Sequence, residues 1–126
     1  MSDPIIQLVR VDGLDELVRI TNPERAQAVI RRSLKRIGLI VERESKKVTP
    51  VKSGTLKRSI TSVMIGDDTV AIGTSVRYGL YVHEGTRNAD QTVRMAKRPF
   101  LVWGIENGSQ RIQDELDRAI EQVVTP

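Results

Sequence analysis

The sequence predicts a single α+β domain over residues 1–126, in which a long N-terminal helix and a C-terminal helix pack on a small antiparallel β-sheet. Two observations predict the helices: apolar residues recur at helical spacing in residues 23–48 and again in residues 100–124. A third observation predicts the sheet, because two segments rich in Val, Ile and Thr flank the turn Gly66-Asp67-Asp68.

The first predicted elements are two helices that meet at Asn22-Pro23. Residues 12–20 are predicted to form a short helix. The long helix over residues 23–48 begins with Asn22 as its N-cap and Pro23 at its first position. Its buried stripe is predicted to consist of Ile30, Leu34, Ile37, Val41 and Val48. Its opposite side is predicted to carry Arg25, Arg32, Arg36, Arg43 and Lys47.

A glycine is predicted to weaken this long helix, and a proline is predicted to end it. Gly38 lies in its interior, where glycine costs about 1 kcal/mol relative to alanine. Pro50 requires the helix to end, because the residue before a proline disfavours helical conformation.

The middle of the chain predicts a turn, a short helix and a hairpin. Ser53-Gly54-Thr55-Leu56 is typical of a turn that leads into a helix. Residues 59–65 and 69–76 are predicted to be the two strands of a β-hairpin. Residues 78–84 fit either a further strand or a short helix, and the sequence does not decide between them.

The remaining segment is predicted to be a loop followed by the C-terminal helix. Residues 85–98 have no sustained periodicity and are predicted to be a long flexible loop. Pro99 suits the first turn of the helix over residues 100–124, and Gly104 and Gly108 predict that this helix is bent or begins later. Its buried face is predicted to contain Ile105, Ile112, Leu116, Ala119 or Ile120, and Val123.

Composition narrows the possible functions. The chain has no cysteine, which excludes disulfides and thiolate metal sites, and its 3% aromatic content leaves no stacking platform for bases. The N-terminus has no signal-peptide pattern, and no apolar run approaches the roughly 20 residues of a membrane span, so we expect a soluble protein made in the cytoplasm. The net charge of +4 comes mainly from residues 25–58 and 85–98.

Residues that could carry catalysis are few. His83 is the only histidine, and no metal-ligand spacing surrounds it. If residues 78–84 were a strand, Glu84 would point to the opposite face and the pair would not form a dyad. The glycines fit no phosphate-binding pattern. We therefore expect a protein that is not an enzyme and that uses no cofactor and no metal.

Three short motifs occur in order along the chain: Pro50–Ile60, Tyr78–Thr86 and Arg98–Leu101. Together with the start Gly13–Leu17, they resemble the tail-completion or head–tail joining proteins of tailed bacteriophages, which are also described as minor tail components. One departure is Gly79, where that family often has alanine. The matching positions are Gly54, Leu56, Ser59, Ile60, Tyr78, Val82, Glu84, Gly85, Thr86, Pro99 and Phe100. Each is interpreted as structural, setting the fold and its loop geometry.

The resemblance implies a structural virion protein that completes the tail or joins head to tail at the neck. It implies a homo-oligomeric ring of six subunits or a multiple of six, which contacts neighbouring neck and tail proteins. Phage DNA passing through the channel is a further candidate partner. We hypothesise that the basic face of residues 25–47, or the loop 85–98, meets the acidic C-terminal helix of a neighbouring copy. The candidate contacts with partners or DNA are Arg87, Arg94, Lys97, Arg98, Arg32 and Arg36.

Two alternatives remain open at this point. One is a tail terminator, which caps the tail tube and shares the size and ring symmetry of a joining protein. The other is a basic nucleic-acid-binding module, which the positive net charge and the basic helix face favour.

Overall fold

The structure is a computed structural model that describes residues 5–13, 16, 22–49, 54–76 and 78–124. Its helices are α1 (Pro23–Val48), α2 (Thr55–Ser59), α3 (Gly79–Glu84), α4 (Phe100–Asn107) and α5 (Ser109–Val124). Its strands are β1 (Ile5–Arg10), β2 (Thr61–Ile65), β3 (Thr69–Thr74), β4 (Thr86–Arg87) and β5 (Val93–Met95). The α+β class is confirmed. The predicted helix over residues 12–20 lies largely outside the described residues.

Three antiparallel strands form the main sheet, in the order β1-β3-β2. The predicted hairpin is present as β2 and β3, and β1 adds a third strand that the sequence analysis did not predict. β3 is central and buried along nearly its whole length, because a strand lies on each side of it and α1 covers one of its faces.

The long helix α1 begins and ends where the sequence predicts. The Asn22 side chain accepts a hydrogen bond from the Arg25 backbone N–H over 3.2 Å, and Pro23 occupies the first turn. The predicted stripe faces the core: Ile30, Leu34, Ile37 and Val41 are buried, and Val48 is partly buried. This side of the helix holds the domain together.

The layer order differs from the prediction that both helices pack on the sheet. α1 contacts β2 and β3 on one side and α4 and α5 on the other, so it lies between the sheet and the C-terminal helices. Its buried arc is wide enough for both contacts, because Gly38 faces the sheet while Ser33 contacts α5. The domain therefore has three layers, with α1 in the middle.

Gly38 is also a close-packing position, where the absence of a side chain lets α1 approach the sheet. A Cβ atom there would lie 2.9 Å from Val70 Cγ2 and 3.0 Å from the Ser62 side chain. Alanine has no room at this contact, so its higher helix propensity offers no advantage here.

The C-terminal helical region is divided at Gly108 into α4 and α5, as the glycine positions predicted. Ala119 and Val123 are buried, and Ile120 is exposed, which settles the alternative left by the sequence. Ile105, Ile112 and Leu116 pack against the core from its edge. Within the described residues no helix is both long and apolar enough to cross a membrane.

Candidate assembly interface

The described part of the first motif, residues 54–60, contains α2 and anchors it to the sheet. Gly54 adopts the left-handed conformation, with φ of 78°, at the N-terminus of α2, where a side chain would add strain. Leu56 and Ile60 are both buried in the core. The backbone N–H of Leu56 donates a hydrogen bond to the Tyr78 hydroxyl over 3.1 Å. This bond ties the first motif to the second.

Hydroxyl groups fix the corner where α2 meets the sheet. Ser59 Oγ donates to the Leu56 carbonyl over 2.6 Å and lies 2.5 Å from Thr74 Oγ1. Thr74 Oγ1 in turn accepts the Val76 N–H over 3.1 Å. The small motif residues therefore set the path of the chain after β3.

Replacing Tyr78 with phenylalanine is expected to lower the free energy of unfolding by about 1 kcal/mol, because the Leu56 N–H would lose its acceptor in a partly buried place. Urea denaturation measures this change. Tyr81→Phe is the matched control, since Tyr81 is exposed to a similar degree and its hydroxyl has no hydrogen-bond partner among the described residues. Equal stability of the two variants would contradict a structural role for the Tyr78 hydroxyl.

The second motif is a helix that glycine terminates. Residues 78–84, left open between strand and helix, contain α3. Gly85 has a φ of 76°, and its N–H donates to the Tyr81 carbonyl over 2.8 Å. The Val82 carbonyl accepts the Arg98 N–H over 2.9 Å, which joins the second motif to the third. Thr86 then begins β4.

His83 is buried and packs edge-on against Phe100, with ring centroids 5.2 Å apart. Its Nδ1 lies 2.7 Å from Glu84 Oε1, so the expectation that these neighbours point apart is wrong. That expectation assumed a strand, whereas a helix allows the Glu84 side chain to turn back to the ring. His83 Nε2 has no hydrogen-bond partner among the described residues.

The segment predicted to be a flexible loop, residues 85–98, contains an antiparallel hairpin formed by β4 and β5. Its turn is closed by polar contacts: the Asn88 N–H donates to the Thr92 carbonyl over 2.9 Å, and Thr92 donates to the Asp90 carboxylate from both Oγ1 and N. The hydrogen bonds from Thr92, above all the one from its hydroxyl, hold the pKa of Asp90 below its ordinary value. The strands of this hairpin are only two and three residues long, which is too short for a periodic pattern of apolar residues to indicate them in the sequence.

The four candidate cations of this segment are all exposed. Arg87 donates to the Gln91 carbonyl over 2.8 Å, which fixes its guanidinium across the turn. Arg87 and Lys97 line the same open groove of about 540 Å³ with Glu84. The structure does not bring Arg94 and Arg98 into that groove.

The other two candidate cations, Arg32 and Arg36, line a small cleft between α1 and α5. Arg36 Nη1 donates to Glu115 Oε1 over 3.2 Å, and Arg118 lies 3.4 Å from the second oxygen of that buried carboxylate. Part of the basic face of α1 therefore has its acidic partner on the C-terminal helix of the same chain. A neighbouring copy is not needed for this pairing.

A larger basic groove of about 670 Å³ runs between α1, α2 and the start of α5. Glu42 and the buried Glu44 hold three of its cations in ion pairs of 3.0–3.5 Å. Arg43 and Lys57 have no ion pair among the described residues. The cations lining the groove are Arg36, Arg43, Lys46, Lys47, Lys57 and Arg111. The sequence alone does not reveal this groove, because Lys57 and Arg111 come from distant segments of the chain.

Two apolar surfaces face away from the core. The outer face of the sheet exposes Ile6 and Leu8 from β1 and Val63 and Ile65 from β2. The outward side of α5 exposes Ile120 and Val124. No cluster of His, Cys, Asp or Glu suited to a metal ion occurs in the part of the chain that the structure describes. In the described part of the chain, the features that stand out are therefore exposed apolar surfaces.

The chain belongs to a family of bacteriophage tail proteins. A family model described as "Bacteriophage HK97-gp10, putative tail-component" matches residues 14–85, which is more than half of the chain. No curated protein and no solved structure matches the chain. The matched segment contains α1, the β2–β3 hairpin, the first motif and the second motif up to Gly85, and the third motif lies beyond it. The protein is therefore a structural component of a phage tail and part of the virion.

Proposed function

We propose that this tail component acts at the neck of the particle, where it completes the tail or joins it to the head as a homo-oligomeric ring. Its neighbours in the particle would be other neck and tail proteins. The observation that carries the proposal is the apolar outer face of the sheet on a domain whose interior is well packed. Apolar side chains that are exposed together on one face of a sheet are suited to form part of a protein–protein contact.

The proposed role is non-catalytic and uses no cofactor. The motif residues support this view, because their contacts connect α2, α3 and α4 to one another. The buried His83 contacts Glu84 and Phe100, and its ring lies among structural side chains. A scaffold of this kind suits a subunit that must hold its surfaces in fixed positions.

Disruption of the gene in its phage tests the neck role by electron microscopy of the lysate. The expected result is filled heads and finished tails of normal length lying separately, with joining restored when the unaltered gene is supplied from a plasmid. Tails of uncontrolled length would instead support the tail terminator alternative. Intact, infectious particles would contradict both roles.

A nucleic-acid-binding role is a second candidate, and the basic groove is the observation that favours it. Six cations line the groove, and only some of them have ion pairs. Binding through phosphate contacts would be independent of sequence and would weaken steeply with added salt. Titration of duplex DNA at two salt concentrations tests this candidate, with Arg43→Glu and Lys57→Glu as the variants that should lose binding.

A further inference from the structure

We propose that the outer face of the sheet binds the outward side of α5 from a second copy of this chain, and that this contact repeats head to tail around a ring. The proposal rests on the ring-forming function above and names the surfaces that would form it. Leu8 and Val63 represent the sheet surface, and Ile120 and Val124 represent the helix surface.

The outer face of the sheet has the shape of a trough. The register places Ala71 between Leu8 and Val63, and Gly73 between Ile6 and Thr61. The small residues of β3 therefore form a floor between ridges on β1 and β2. Strands lie about 4.8 Å apart, so the backbones of β1 and β2 are about 10 Å apart. The ridge side chains leave Ala71 only 5% exposed. The trough is therefore shallow, and it can take one row of side chains from a helix that lies on it.

The outward side of α5 offers an apolar row that fits such a trough. Ile120 and Val124 are four residues apart and share one side of the helix. Glu115 and Ala119, which are buried, lie on the side that faces α1. Because α1 lies between the sheet and α5, the trough and the row belong to different layers of the molecule. One chain cannot bring them together, and two copies can.

Charge favours the same pairing and sets its orientation. One flank of the apolar row on α5 is acidic, and its Asp114 and Asp117 accept hydrogen bonds from glutamine amides only. Beside Val63, the cleft between α1 and β2 is lined by Arg31 and Lys35. Arg31 has an ion pair with Asp67 over 3.5 Å, whereas Lys35 has none among the described residues. The acidic flank of one copy can therefore lie along the basic cleft of the next.

Because the two surfaces differ, their contact is heterologous, and a repeated heterologous contact closes into a ring when its rotation permits. The sheet face measures about 250 Å², from three strands about 5 Å apart and five residues of about 3.4 Å. A stable interface buries roughly 800 Å² on each partner. The contact is therefore weak between two free subunits, and the ring forms where several contacts act together.

A disulfide trap detects a weak contact, and the chain has no cysteine of its own to interfere. Leu8→Cys and Ile120→Cys are prepared as separate proteins and mixed under mild oxidation at high concentration. The expected product is a linked pair that contains one copy of each variant. The double variant is expected to form a ladder of linked oligomers, which a reductant returns to monomers.

Val93→Cys is the matched control, because Val93 and Leu8 are both 59% exposed and Val93 lies on the separate β4–β5 hairpin. Linkage of Val93→Cys to Ile120→Cys at an equal rate would indicate random collision and overturn the proposal. Rapid linkage of Leu8→Cys to itself would indicate two sheets packed face to face and would also overturn it. Absence of any linkage would also overturn the proposal. If Leu8→Cys does not fold, Val63→Cys takes its place. None of these outcomes alters the microscopy result, so the neck role is judged independently.

Discussion

Replacing Phe100 with alanine is expected to lower the free energy of unfolding by about 3–5 kcal/mol, the usual loss when a buried phenylalanine is truncated. Phe100 is 0% exposed, and it packs edge-on against His83, whose helix belongs to the second motif. The substitution removes the side-chain contact of the third motif with the second and leaves the Arg98–Val82 backbone hydrogen bond in place. Urea denaturation followed by circular dichroism measures the loss.

Trp103→Ala provides the control for this experiment, since Trp103 lies on the same helix and is 37% exposed. Its truncation removes a larger side chain but leaves less of a cavity, so the expected loss is clearly smaller. A loss for Trp103→Ala that equals the one for Phe100→Ala would show that α4 is not held chiefly by Phe100.

Replacing Gly104 with alanine is expected to destabilise the domain by about 3 kcal/mol, at the upper end of what overpacking usually costs. A Cβ atom at Gly104 would collide with the Ser45 side chain and would lie 2.8 Å from its backbone nitrogen. Backbone atoms of α1 cannot rotate away as a side chain can, so the two helices must separate. The effect should appear as a lower urea midpoint and a lower melting temperature.

Asn107→Ala is the matched control for Gly104→Ala, because Asn107 is an exposed residue of the same helix. Alanine is a better helix former than either asparagine or glycine, so propensity alone favours both substitutions. Only the packing against Ser45 makes Gly104→Ala destabilising, whereas Asn107→Ala is expected to stabilise the helix. A stabilised Gly104→Ala variant would contradict the close approach of α1 and α4.

The sequence by itself determined the elements whose information is local. The buried stripe of α1 could be predicted because apolar residues at helical spacing are buried on one side of the helix. The β2–β3 hairpin could be predicted because its turn and its two strands are adjacent in the chain. The order of the three motifs indicated the phage tail family, and the family match covers the first motif and all but the last residue of the second.

Only the tertiary structure decided which distant segments meet. β1 gains its strand hydrogen bonds from β3, some 60 residues further on, so its own sequence gave little signal. The pairing of Arg36 with Glu115 depends on how α5 packs on α1, and helical spacing cannot reveal it.

The candidate interfaces belong to this second group. The basic groove combines side chains from α1, α2 and α5, and the trough combines ridges from β1 and β2 with a floor from β3. A contact surface is a property of residues that are neighbours in space. The sequence specifies the faces of single elements, and packing decides which of those faces remain exposed for a partner.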